Sequence, residues 1–234
     1  MYKYLLLIIV YWGEQMGELI YENSLANSNL VKDFILEGQA DISFDDGAMR
    51  MKNALSADNG QKANYVYWCP VEFPEDIKIT WEFRPIEEPG LAILFFAAKG
   101  INGESIFDKG LTKRTGEYPL YHHGDINAFH VSYFRRKEPD ERAFHTCNLR
   151  KSYGFHLVTQ GADPIPDASP DSMWYTLTVI KKGNLISFCV NDLKVFEFED
   201  DGATYGPLLK GGCIGFRQLA PMIAEYRNLK VYSI

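Results

Sequence analysis

The chain is poor in cysteine: four in 234 residues, at positions 69, 147, 189 and 213, with no C-x-x-C pair and no zinc-ligand spacing. That excludes a disulfide framework and a cysteine-built metal site. Three of the four sit in apolar, strand-like runs, so buried free thiols are expected, although two of them could still pair across a sheet. Long apolar runs are missing too. The longest, Tyr4 to Trp12, is too short to span a bilayer, so no membrane partner is expected. It follows Lys3 as in a secretory leader, but Glu14, Glu18 and Glu22 come next and no small-x-small cleavage site does. Gly13-Glu14-Gln15 directly before Met16 can be encoded by a ribosome-binding sequence, which places the start of translation at Met16. Residues 1–15 are then an extension foreign to the mature protein, which is expected in the cytoplasm; a genuine leader would make it secreted. An excess of positive charge is absent as well, and a net charge of −7 argues against nucleic acid as partner. No linker-like composition shift divides residues 16–234, so they read as a single domain.

Helical periodicity is nearly absent, and strand periodicity takes its place. Ile77, Ile79, Trp81 and Phe83 alternate with Lys78, Thr80, Glu82 and Arg84, the pattern of a half-buried strand. Leu91 to Ala98 is apolar on both faces, as a central strand covered on both sides would be. Hairpin signals lie at Lys181-Lys182-Gly183-Asn184 and Asn191-Asp192, and Cys213 to Gln218 and Glu225 to Tyr232 read as two closing strands. Roughly a dozen short strands in one unit imply an all-β, jelly-roll sandwich of two antiparallel sheets.

Histidine is scarce but concentrated: all five lie between His122 and His156. The stretch Lys113 to His156 carries a formal +3, which leaves −10 for the remainder of the chain. A basic, histidine-bearing patch on an acidic protein points to an anionic ligand. The charged segment Lys137 to Glu141 reads as the turn of a hairpin centred near Pro139, with His130 opposite Asn148, Ser132 opposite Thr146 and Arg136 opposite Arg142. Its even-numbered face is polar and its odd face apolar, so the even face should line a cleft.

Several of these runs carry a resemblance. Gly124-Asp125-Ile126-Asn127-Ala128, Ser132 to Lys137, Thr146 to Ser152, Gly161-Ala162-Asp163-Pro164, Trp68-Cys69-Pro70, Leu94 to Ala98, Lys113-Arg114-Thr115-Gly116 and Gly215-Phe216-Arg217-Gln218 resemble the YesU family. The resemblance extends from about Met16 to the C-terminus. It implies a concanavalin A-like fold, shared with lectins and glucanases, and an association with bacterial use of rhamnogalacturonan, a pectin backbone containing galacturonate. It brings no catalytic residues.

Uronate-containing glycans can be cut by β-elimination, which needs a cation or amide on the carboxylate, a base for the C5 proton and an acid for the leaving oxygen. By residue chemistry, Arg136 and Arg150 hold the carboxylate, Asn148 assists, His130 is the base and Tyr133 the acid. Ser132, Thr146, His122, Arg114 and Asn127 complete the expected substrate contacts. Tyr133 is the weak member, since alternation sets it on the face opposite His130. Bland readings stand beside these: a strand histidine is more often structural, and Arg135 to Glu141 is in part a solvated, salt-bridged turn. His122, His123, Asp125 and His130 match no defined metal spacing. Asp45-Asp46-Gly47 and Asp200-Asp201-Gly202 are first of all turn chemistry, with a structural calcium the alternative, and no cofactor is expected. Glu82, Glu87, Glu88 and Asp125 form no convincing pair for hydrolysis. The sequence thus leans toward an enzyme acting on acidic oligosaccharides, with a sugar-binding protein as the alternative and a purely structural sandwich ranked last.

Overall fold

A computed structural model describes residues 17–169 and 171–234; the reading of residues 1–15 lies outside them. In chain order the strands are β1 (Glu18–Asn23), β2 (Ile35–Gly38), β3 (Ala40–Asp45), β4 (Ala48–Asn53), β5 (Tyr65–Phe73), β6 (Ile77–Glu87), β7 (Leu91–Gly100), β8 (Ile126–Tyr133), β9 (Thr146–Lys151), β10 (His156–Ala162), β11 (Tyr175–Lys182), β12 (Leu185–Val190), β13 (Leu193–Glu199), β14 (Gly212–Leu219) and β15 (Ile223–Ser233). Two short helices, α1 (Pro119–His122) and α2 (Pro139–Ala143), interrupt them. One sheet runs β13-β12-β11-β6-β15-β4-β3, with β1 also pairing to β15; the other runs β10-β9-β8-β7-β14-β5-β2. All pairings are antiparallel, as the alternation implied.

The sheets face one another over an aromatic core. Ile77, Ile79, Trp81 and Phe83 of β6 point inward with Phe188, Phe216 and Tyr226, while Lys78, Thr80, Glu82 and Arg84 point out. Strand β7 is the middle strand of its sheet and is buried on both sides. Its Ala92, Leu94 and Phe96 enter the inter-sheet core, whereas Ile93 and Phe95 lie beneath residues 101–125, which fold over the outer face. Both expected hairpins form: Gly183-Asn184 joins Lys182 to Leu185, and Asn191-Asp192 joins Val190 to Leu193. Cys69, Cys147 and Cys213 are buried thiols.

Residues 101–125 contain only the single turn of α1 and need outside fastening. Ile106 and Tyr121 bury their side chains against Trp68 and Phe95. Glu37, on the edge strand β2, supplies the polar anchor: its carboxylate accepts from Arg114 Nε (3.1 Å) and Nη2 (2.6 Å), Trp68 Nε1 (2.9 Å) and the Tyr121 hydroxyl (2.8 Å). Trp68 lies flat across the sheet only because residue 215 is glycine, where a Cβ would meet its ring at 2.4 Å.

Among the described residues no helix is long and apolar enough to cross a membrane, and no group of three His, Cys, Asp or Glu could hold a metal ion. The two Asp-Asp-Gly segments are turns. Asp46 and Gly47 take positive φ between β3 and β4, and Asp201 caps the next turn by accepting from the Ala203 and Thr204 amides.

Candidate functional site

Pairing across the seven-stranded sheet aligns outward side chains in rows. One row is Trp68, Gly215, Phe95, His130, Arg150 and Leu157; the next is Val66, Arg217, Ile93, Ser132, Asn148 and Gln160. The even face of β8 and β9 is therefore outward and polar, as expected. The register differs from the expected one by two residues, with Ser132 rather than His130 opposite Asn148 and His130 opposite Arg150. A shift of two preserves the face. It arises because Pro139–Ala143 forms a capped helical turn, not a tight hairpin turn, with Glu138 and Glu141 exchanging capping hydrogen bonds.

At the centre is His130, with no exposed surface. Its Nε2 is 2.6 Å from the Tyr118 hydroxyl and its Nδ1 is 2.8 Å from Ser152 Oγ. Burial, then Arg150, Arg217 and His122, hold the imidazole well below its ordinary 6.5, so it is neutral, with one nitrogen donating and the other accepting. Burial raises the Tyr118 phenol to about 12, against the opposing pull of Arg217, Arg150 and Arg135. His122 packs edge-on to Tyr118 at 4.7 Å and against Phe155 at 4.6 Å between ring centres. Burial, then His123, Arg217 and Arg150, lower it to about 4.

Two arginines flank this group. Arg150 stacks on the Phe155 ring at 4.0 Å and donates to the Phe155 carbonyl. Arg217 is fully buried beneath the rings of Tyr118 (4.8 Å) and Tyr121 (5.3 Å). Its Nη1 donates to the Gly116 carbonyl at 2.7 Å, while Nε and Nη2 have no hydrogen-bond partner. Arg50, Arg84, Arg114, Arg135, Arg136, Arg142 and Arg227 all contact a carboxylate. Among the described residues Arg150 and Arg217 are the two arginines that contact none.

The structure brings His130, Ser132, Asn148, Arg150 and His122 to this face and sends four other candidates elsewhere. Tyr133 lies on the inter-sheet side, where its hydroxyl accepts from Trp81 Nε1 at 3.2 Å, so it cannot act as acid beside His130. Arg136 is fully buried and holds Asp163 (3.1 Å), Asp167 (2.9 Å) and the Ile165 carbonyl (2.7 Å), which leaves nothing for a ligand carboxylate. Arg114 is consumed by Glu37. Asn127 accepts from the Ala128 and Tyr153 amides at the end of the sheet, away from the arginines. Thr146 remains at the margin, accepting from Arg135 Nη1 at 2.7 Å, and the Asn148 amide sits between that same nitrogen (3.2 Å) and Gln160 (2.8 Å).

Tyr118 and Arg217 were not foreseen. Tyr118 comes from the aperiodic 101–125 segment and gave no signal. Arg217 carries one: it is a lone cation inside the apolar strand Cys213 to Gln218.

Residues 18–231 match the protein family described as a domain of unknown function, DUF1961. The chain belongs to this family. It is 51% identical over 217 residues to the uncharacterized protein YesU of Bacillus subtilis, covering 93% of this chain and 96% of YesU. A Bacillus subtilis protein of unknown function with a galectin-like fold superposes with a TM-score of 0.89 at 51% identity, over 94% of this chain and 97% of that one. The carbohydrate-binding module CBM66 from Bacillus subtilis shares the fold alone, at 10% identity and a TM-score of 0.54, over 86% of this chain and 95% of the module. Membership agrees with the resemblance read from the residues, and the galectin-like architecture agrees with the expected two-sheet sandwich.

Proposed function

We propose that this DUF1961 protein is carbohydrate-active and engages uronate-containing oligosaccharides, of the kind found in rhamnogalacturonan, on the outer face of the seven-stranded sheet. The carrying observation is that Arg150 and Arg217, alone among the described arginines in contacting no carboxylate, flank one neutral His–Tyr pair. Arg150, only partly buried, is the cation a ligand carboxylate can reach, while Arg217, as enclosed as His130, adds its positive field from below. The exposed Phe155 ring and the exposed Gln160 amide supply the apolar surface and hydrogen bonds that fix a sugar ring. The occurrence of the fold in a carbohydrate-binding module supports the ligand class.

The chemistry that suits this face is β-elimination. His122, neutral and half-exposed, takes the C5 proton; the electron pair becomes the C4=C5 bond, the C4–O bond breaks, and the leaving oxygen takes the proton of Tyr118. His130 is a positioning residue that fixes the Tyr118 hydroxyl through Nε2. A bound carboxylate offsets the two cations that depress His122, which raises its basicity when substrate arrives. Binding without cleavage is the second reading, favoured by the complete enclosure of His130, which bars it from acting directly on a sugar.

One experiment separates the readings. Purified protein is incubated with galacturonan and rhamnogalacturonan oligosaccharides while the ultraviolet absorbance of unsaturated uronate, reducing ends and calorimetric binding are followed. Absorbance with new ends establishes elimination; binding without product establishes the second reading. Absence of both for acidic oligosaccharides refutes the proposal.

A further inference from the structure

At the end of the sandwich, away from the arginine face, the ends of β5 and β7 and the segment 207–211 that leads into β14 border a cleft of about 720 Å³. That volume is typical of a small-molecule site. The opening is built into the strands. Register slips between Phe96 and Lys99 on β7 and between Gly212 and Ile214 on β14, and such bulges bend the strand and redirect side chains. At Gly211 a Cβ would lie 2.1 Å from the Phe73 carbonyl oxygen, so the chain passes here only as glycine. The outer wall, residues 207–211, follows a segment fixed by the wholly buried Lys151, whose ammonium holds Asp200 at 2.7 Å and the Gly206 carbonyl at 2.8 Å. The cleft is thus preformed.

Its lining is aliphatic with a cationic rim. Ile101 and Leu208, 50% and 45% exposed, face it with Leu209 and Pro74. Lys99 is tied to Glu72, whereas Lys210 has no carboxylate partner among the described residues, so the rim carries one uncompensated positive charge. Aromatic platforms of the Phe155 kind, on which sugar rings pack, are lacking apart from the largely buried Phe73.

We infer that this cleft is a second ligand site, for a small organic monoanion with a short aliphatic body, its head group on Lys210 and its chain between Ile101, Leu208 and Leu209. The site is independent of the saccharide face. The test is amide chemical-shift titration of the full protein with hexanoate, hexylamine and 1-hexanol, in wild type and in Lys210→Glu and Leu208→Ser. Hexanoate is expected to shift the amides of residues 99–103 and 208–211 saturably, and to bind about tenfold more tightly than hexanol. Lys210→Glu should abolish that preference and Leu208→Ser should weaken all three probes, both variants keeping wild-type spectra elsewhere. Hexylamine equalling hexanoate, an unchanged preference in Lys210→Glu, or no saturable shift at the cleft would each overturn the inference.

Discussion

The two sheets treat the arginines on their outward strand faces in opposite ways. On the eight-stranded sheet Arg50 and Arg84 share the buried Glu225, and Arg227 grips Glu82 at 2.6 Å. On the seven-stranded sheet Arg150 and Arg217 meet no carboxylate, although Arg217 is the more deeply buried and pays more for its charge. Folding alone would favour the first arrangement everywhere. Under the proposed function, a face that keeps uncompensated cations beside a neutral histidine is one organised for a ligand, and the contrast then separates cations that hold the fold from cations kept for binding.

The contrast can be broken deliberately. Asp200→Ala converts a paired, buried cation into an unpaired one by stranding Lys151, and should cost about 3–5 kcal/mol in chemical denaturation. A cost near zero would erase the distinction between the two classes. Arg217→Met does the reverse. Stability should stay within about 1 kcal/mol, because a costly unpaired charge goes together with one hydrogen bond and two ring contacts. Affinity for acidic oligosaccharide should fall about 3- to 10-fold, because Arg217 acts on the ligand through its field and not by contact. A large stability loss with unchanged affinity would make Arg217 a structural cation after all.

Acid sharpens the comparison further. His122 and His130 are both held below 6.5, so the unfolded chain takes up protons that the native state refuses. Their contribution is complete above pH 6.5 and is lost as pH falls below it, for His122 through about 4. The slope for His130 is at most about 1.4 kcal/mol per pH unit, and less for half-exposed His122. Urea melts at descending pH should show it, and His130→Asn should flatten the curve. The smallest effect belongs to the other sheet: Arg227→Gln, which loses Glu82 and the Trp174 ring, should change stability by about 1 kcal/mol or less.

Much of this architecture was legible in the sequence for a simple reason. Alternation with period two reports which face a residue takes, and it does so even when register is wrong, as the two-residue shift between β8 and β9 shows. It therefore placed His130, Ser132, Asn148 and Arg150 together and already marked Tyr133 as suspect. Alternation says nothing about what a face is covered by. Arg136 and Arg114 carry the same charge as Arg150, but Asp163 and Glu37, each remote in sequence, neutralise them. Tyr118 is set by residues 101–125, whose course depends on Glu37, 77 positions before Arg114. Local pattern carries no trace of such distances.

Glu37 has a consequence beyond anchoring. The segment that brings Tyr118 and His122 over the sheet is fastened at the opposite edge, on β2, by contacts of Glu37 with Arg114, Trp68 and Tyr121 that involve neither Arg150 nor any histidine. The scaffold and the roof over it are therefore held together by a few contacts: the Glu37 clasp, the packed Ile106 and Tyr121, and the Arg217–Gly116 hydrogen bond. An alternative sequence between Gly100 and Ile126 that kept Ile106, Arg114 and Tyr121 would dock on the same sandwich with a new roof over Arg150 and Arg217. Under the proposed function, ligand choice would then be altered through the roof alone, with every strand left untouched.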